Sequence, residues 1–149
     1  MGYRSEVAYV INFEDKQKLN EFISKVMVLG GHVANALKEC EIEVVEGAFN
    51  CYRINFYAID IKWYESFPDV KAHEQLLEFA GEWFPNGGVG WKFIRLGEEI
   101  GDVDDRDDGD DAFIPYDDFY PTQSMEIPFS SSYEPVGDNL RILDDGIKV

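Results

Sequence analysis

Between Glu98 and Asp118 the chain places eleven carboxylates and one guanidinium, Arg106. The run reads Glu98-Glu99-Ile100-Gly101-Asp102-Val103-Asp104-Asp105-Arg106-Asp107-Asp108-Gly109-Asp110-Asp111, and Asp117 and Asp118 follow. Carboxylates at this density suit a hard cation, acid–base chemistry, or presentation of charge to a basic partner. An EF-hand fails on register. With Gly109 as the sixth loop residue, Arg106 falls where a ligand is required and Pro115 replaces the bidentate acid.

Catalysis is no better specified. Cys40, Cys51, His32 and His73 are the only cysteines and histidines. They show neither C-x-x-C nor H-x-x-x-H spacing, so no metal site and no cofactor is expected. His73 lies on an apolar helical stripe, where it reads as a hydrogen-bonded structural residue. Gly87-Gly88-Val89-Gly90 follows a helix and precedes a strand, the reverse of a phosphate-binding turn. No catalytic residue is assigned, and the chain reads as a non-enzyme.

Charge presentation remains. Carboxylates spaced along a backbone can imitate nucleic-acid phosphates and occupy a cationic groove, gaining the counterion release that drives DNA binding. On this reading Glu98, Glu99, Asp102, Asp104, Asp105, Asp107, Asp108, Asp110, Asp111, Asp117 and Asp118 form the partner-binding surface. The alternative is a solvated loop that only keeps the protein soluble.

The charge is unevenly distributed. Residues 98–149 hold 16 acids against 3 bases, and residues 1–97 hold 14 against 10, within a net charge of −17. Such a balance disfavours direct contact with nucleic acid or anionic membranes and favours a basic protein partner. At 149 residues, with 45% hydrophobic content, the chain is long and apolar enough for one domain with a real core. The expected division is a domain over 1–97 and an acidic extension over 98–149. Neither an apolar run of ~20 residues nor a leader-like start is present, which predicts a cytoplasmic protein.

Several elements must position the acids. Val7, Tyr9, Ile11 and Phe13 alternate as in a strand. Glu14-Asp15 can cap a helix carrying Leu19, Phe22, Ile23, Val26 and Met27, which Gly30-Gly31 ends. The segment from His32 to Lys38 is open between a helical turn and a connection. Glu41–Val45 and Cys51–Ala58 read as a hairpin, and the apolar phase flips beyond Ala58, predicting a bulge. Phe67-Pro68-Asp69 opens a second helix with Val70, His73, Leu76, Leu77, Ala80, Trp83 and Phe84 buried, and Asn86-Gly87-Gly88 stops it. Val89–Leu96 is a last strand. The order β-α-β-β-α-β predicts an α+β, ferredoxin-like core: a four-stranded antiparallel sheet with two helices on one face.

Both faces of that sheet are apolar in sequence, so one needs a cover. Residues 113–133 carry Phe113, Ile114, Tyr116, Phe119, Tyr120, Met125, Ile127, Phe129 and Tyr133 and can fold back over it, pinning 98–111 as a loop. A second copy of the chain, making a homo-dimer, is the other cover. Residues 141–149 are expected to add a short terminal strand.

The opening Met1-Gly2-Tyr3-Arg4-Ser5-Glu6-Val7-Ala8, the segment Ile61-Lys62-Trp63-Tyr64-Glu65-Ser66-Phe67-Pro68-Asp69-Val70, and Phe93-Ile94-Arg95-Leu96-Gly97-Glu98 carry a resemblance. Over roughly residues 1–105 the chain resembles a family of small uncharacterised acidic proteins encoded by tailed phages and prophages. The resemblance transfers no catalytic or ligand residue. It implies a phage-type accessory protein in a bacterial host cytoplasm, and by analogy an inhibitor of a nuclease or other defence component. The alternative is a self-associating structural or small-molecule-binding accessory protein.

Overall fold

The computed structural model describes residues 2–45, 51–115 and 134–135. The element order is β1 (Ser5–Phe13), α1 (Lys16–Leu29), α2 (Gly31–Lys38), β2 (Glu41–Val45), β3 (Cys51–Ile61), α3 (Pro68–Glu82), β4 (Val89–Gly97), β5 (Val103–Gly109) and the two-residue β6 (Glu134–Pro135). One α+β unit results, its sheet ordered β5-β4-β1-β3-β2-β6 with every pair antiparallel.

Local chemistry accounts for most boundaries. Asp15 caps α1 by accepting from the Lys18 amide at 2.8 Å, and Gly30, at φ 66, closes it. Gly31 lies at φ 63 and α2 starts there, so the ambiguous His32–Lys38 stretch is a third helix. Pro68 occupies the first turn of α3 and Asp69 meets its positive end. The bulge foreseen near Ala58 is present. Val7 pairs with Ala58 but Ser5 with Ile61, and Asp60 takes φ 56 to absorb the extra residue.

All three helices pack on one face, on a core centred on β1. There Tyr9 stands between Phe56 of β3 and Phe93 of β4, with ring centroids 5.2 and 6.5 Å away. Phe13, Phe22, Leu19, Ile23, Leu37 and Leu76 are fully buried around it, each worth roughly 1.5–3 kcal/mol of transfer free energy. The opposite face buries Ala8, Val10 and Ile94, but it also buries Asn12, Glu43, Arg53, Asn55 and Lys92. That face is thus more polar than its strand pattern suggests. Arg53 Nε donates to Asn12 Oδ1 at 2.7 Å, and Asn12 Nδ2 donates to the Phe113 carbonyl at 2.8 Å.

Three expectations are corrected. The sheet has five substantial strands rather than four, because residues 103–109 pair with β4 from Gly90↔Gly109 to Leu96↔Val103. The helices number three rather than two among the described residues. The acidic run is not a loop throughout: its centre is the edge strand β5. The fold-back of 113–133 is met at its start, where Ile114 is 7% exposed and packs beside Gly90. Residues 116–133 and the strand foreseen in 141–149 lie outside the described residues. No helix among the described residues is long and apolar enough to cross a membrane.

Candidate functional site

Strands rarely contain consecutive aspartates, because short polar side chains prefer turns and pack poorly on a pleated surface. Contacts across the sheet hold β5 despite its composition. Arg106 sits opposite Phe93, with its guanidinium carbon 4.3 Å from the ring centroid. Its Nη2 donates to both Glu74 oxygens at 2.8 and 2.9 Å, and its Nε to Asp104 at 3.0 Å. The one base in the acidic run therefore points inward and fastens the strand to α3.

Both ends of β5 are anchored as well. Arg95 meets Asp102 through two nitrogens at 2.7 and 3.2 Å, and the Tyr3 hydroxyl donates to Asp102 at 2.6 Å. The Arg95 guanidinium, aided by Tyr3, lowers the Asp102 carboxyl to about 2. At the other end Asp110 accepts from the Gly88 amide at 2.7 Å and the Ala112 amide at 3.1 Å, which lowers its pKa too. Glu98 accepts from the Arg4 amide at 2.6 Å.

The foreseen contact set thus divides. Glu98, Asp102, Asp104 and Asp110 hold the fold together. Asp105, Asp107 and Asp108 are exposed on β5, and Glu99 and Asp111 are exposed beyond its ends. Asp117 and Asp118 lie outside the described residues. At ~3.3 Å per residue, Asp105 and Asp107 stand ~6.6 Å apart on one face. Three exposed carboxylates over a strand of ~23 Å make about one per 8 Å, roughly two-fifths of the linear charge of a single DNA strand. Glu74 was missed as a positioning residue, and the single arginine inside the acidic run was its signal.

A second cluster lies inside. The Tyr9 hydroxyl is 2.7 Å from His73 Nδ1 and 3.3 Å from Cys40 Sγ, and His73 Nε2 is 3.5 Å from Glu39 Oε1. Burial pushes the Cys40 thiol up to about 12 and His73 down to about 4. A protonated thiol beside a neutral imidazole that is already hydrogen-bonded is not an activated nucleophile–base pair. His73 thus has the structural place foreseen for it. Next to it a groove of about 540 Å³ opens between the end of β3 and the start of α3, walled by Trp63 and Phe67, with Glu39 and Asp69 also lining it. No group of three or more ligating side chains suited to a metal occurs among the described residues.

No family model, curated protein or solved structure matches the chain. Its geometry is therefore the ground for a functional reading.

Proposed function

We propose that this chain is a non-enzymatic, phage-type accessory protein that binds and inhibits a basic nucleic-acid-handling or defence protein of a bacterial host, acting in the cytoplasm by nucleic-acid mimicry. The supporting observation is the edge strand β5. It displays Asp105, Asp107 and Asp108 to solvent, while Arg106, the one base within the run, is bound to Glu74, and Lys92, which pairs across the strands with Asp107, is buried. Anchored carboxylates lose little conformational entropy on binding, an advantage over a floppy acidic arm. We also infer a ferredoxin-like core. The strand order β4-β1-β3-β2 places β3 between the parallel β1 and β2, and β1 between the parallel β3 and β4, as two split βαβ units require.

The test is capture of proteins from bacterial lysate on the immobilised chain. Basic nucleic-acid-binding proteins should be retained at low salt, and released both by raised salt and by competing duplex DNA. They should be lost when Asp105, Asp107 and Asp108 are all replaced by Asn. Retention of the same proteins by that triple variant would sink the reading.

The groove, about 540 Å³ with Trp63 and Phe67 among its lining residues, is the observation behind a second reading, a small-molecule-binding accessory protein. Saturable quenching of Trp63 fluorescence by a small molecule, unchanged in the triple Asn variant, would support it.

A further inference from the structure

Residues of an antiparallel strand alternate between exchanging hydrogen bonds with their neighbour and turning N–H and C=O to the other side. Two bonds set this phase for β5. The Gly97 amide donates to the Asp102 carbonyl at 2.8 Å, and the Asp110 amide to the Val89 carbonyl at 2.8 Å. The pairs 97/102 and 89/110, each joined by one such bond, therefore set the hydrogen-bonded phase, on which 95/104, 93/106 and 91/108 fall between them. Asp105 and Asp107 fall on the alternate positions, with amides and carbonyls directed away from β4. On that side no strand among the described residues pairs with β5. The Val103 amide, the next in phase, is already taken by the Gly101 carbonyl at 3.0 Å.

An open edge invites strand addition, and side-chain charge decides which strand is accepted. A second copy of β5 would set aspartate against aspartate, and like charges directly opposite destabilise a pair. A basic strand meets the reverse situation. We infer that β5 takes up an extended basic segment of the partner as an additional strand, with Lys or Arg opposite Asp104, Asp105, Asp107 and Asp108. An uncharged residue belongs opposite Arg106, whose charge is already met by Glu74 and Asp104. The inference rests on the acidic-edge reading above and names its mode of contact: main-chain hydrogen bonds through Asp105 and Asp107, with paired charges selecting the sequence.

Two peptides test it on the full chain. The first is acetylated and amidated with the pattern Thr-Lys-Lys-Thr-Lys-Lys-Thr. The second has the same sequence, N-methylated at alternate residues so that it keeps its charge but cannot donate along one edge. The first should bind, and the amides of Asp105 and Asp107 should gain protection from hydrogen exchange. The N-methylated peptide should bind at least about tenfold more weakly, the loss expected for a few main-chain hydrogen bonds.

Equal binding of the two peptides, or protection that misses Asp105 and Asp107, overturns strand addition. Binding by neither peptide overturns it too. If both bind equally to the wild type and both are lost in the triple Asn variant, the charge reading stands and strand addition falls. If the first peptide binds the triple variant as well as it binds the wild type, both fall.

Discussion

Arg106 holds Glu74 through a single nitrogen, 2.8 and 2.9 Å from its two oxygens, and in doing so clamps the acidic strand to α3. The pair is partly exposed, with side-chain accessibilities of 40% and 30%, so its ionic contribution is modest. Stacking on Phe93 adds to it. Arg106→Gln should lower unfolding free energy by about 1–2 kcal/mol in urea titrations. It should also speed amide exchange in β5 before the rest of the sheet. Wild-type exchange in the variant would remove the clamp from the account.

His73 makes stability depend on pH. In the unfolded chain its imidazole takes a proton below about 6.5, whereas burial lowers the folded value to about 4. Between these values the unfolded state holds more protons, so stability rises with pH and is complete above about 6.5. Roughly 3 kcal/mol should be lost on going down to pH 4. Urea midpoints across that window should fall for the wild type and flatten for His73→Gln. The same slope in both proteins would exclude His73 as its source.

A separate loss belongs to stronger acid. The Asp102 carboxyl, held at about 2 by Arg95 and then Tyr3, lies below its ordinary value of 3.8. Its contribution is therefore present above 3.8 and disappears as pH falls towards 2. Asp102→Asn should remove this lower step while leaving the one between 6.5 and 4. Circular dichroism titration of the two proteins would show whether the steps separate.

Gly109 ends β5 at φ 107, and a Cβ there would lie 2.5 Å from the Val89 carbonyl oxygen. Neither the backbone angle nor the space suits another residue. Gly109→Ala should cost about 1–3 kcal/mol and loosen residues 110–114 first, read as new protease sensitivity near Ala112. Unaltered sensitivity and stability would contradict the close approach of β5 and β4.

Periodicity and caps made most of this fold readable. Asp15, Gly30 and Pro68 mark helix ends, whereas α3 stops at Glu82, short of the Gly87-Gly88 expected to end it; the apolar faces of β1, β3, α1 and α3 follow from spacing alone. Strand β5 was hidden because its residues oppose its conformation. Aspartate disfavours strands, and the contacts that overrule this preference come from Phe93 and Glu74, distant in sequence. The polar second face was hidden for a related reason: alternation in β1 exposes Ala8 and Val10 to view, but the buried Arg53 and Glu43 need the register of β2 and β3. The exposed acids were legible as a group. Which of them brace the fold, as Asp102 and Asp110 do, required coordinates.

Cys40 is 1% exposed, its thiol sealed between α2 and Tyr9. A thiol reagent can reach it only when that helix lifts away, because both access and the thiolate form are withheld while the seam is shut. In a Cys51→Ser background the labelling rate of Cys40 becomes a clock for the seam between α2 and β1. Capture of a partner at β5 could then be read for its effect on the opposite side of the central strand, without altering a residue at either place.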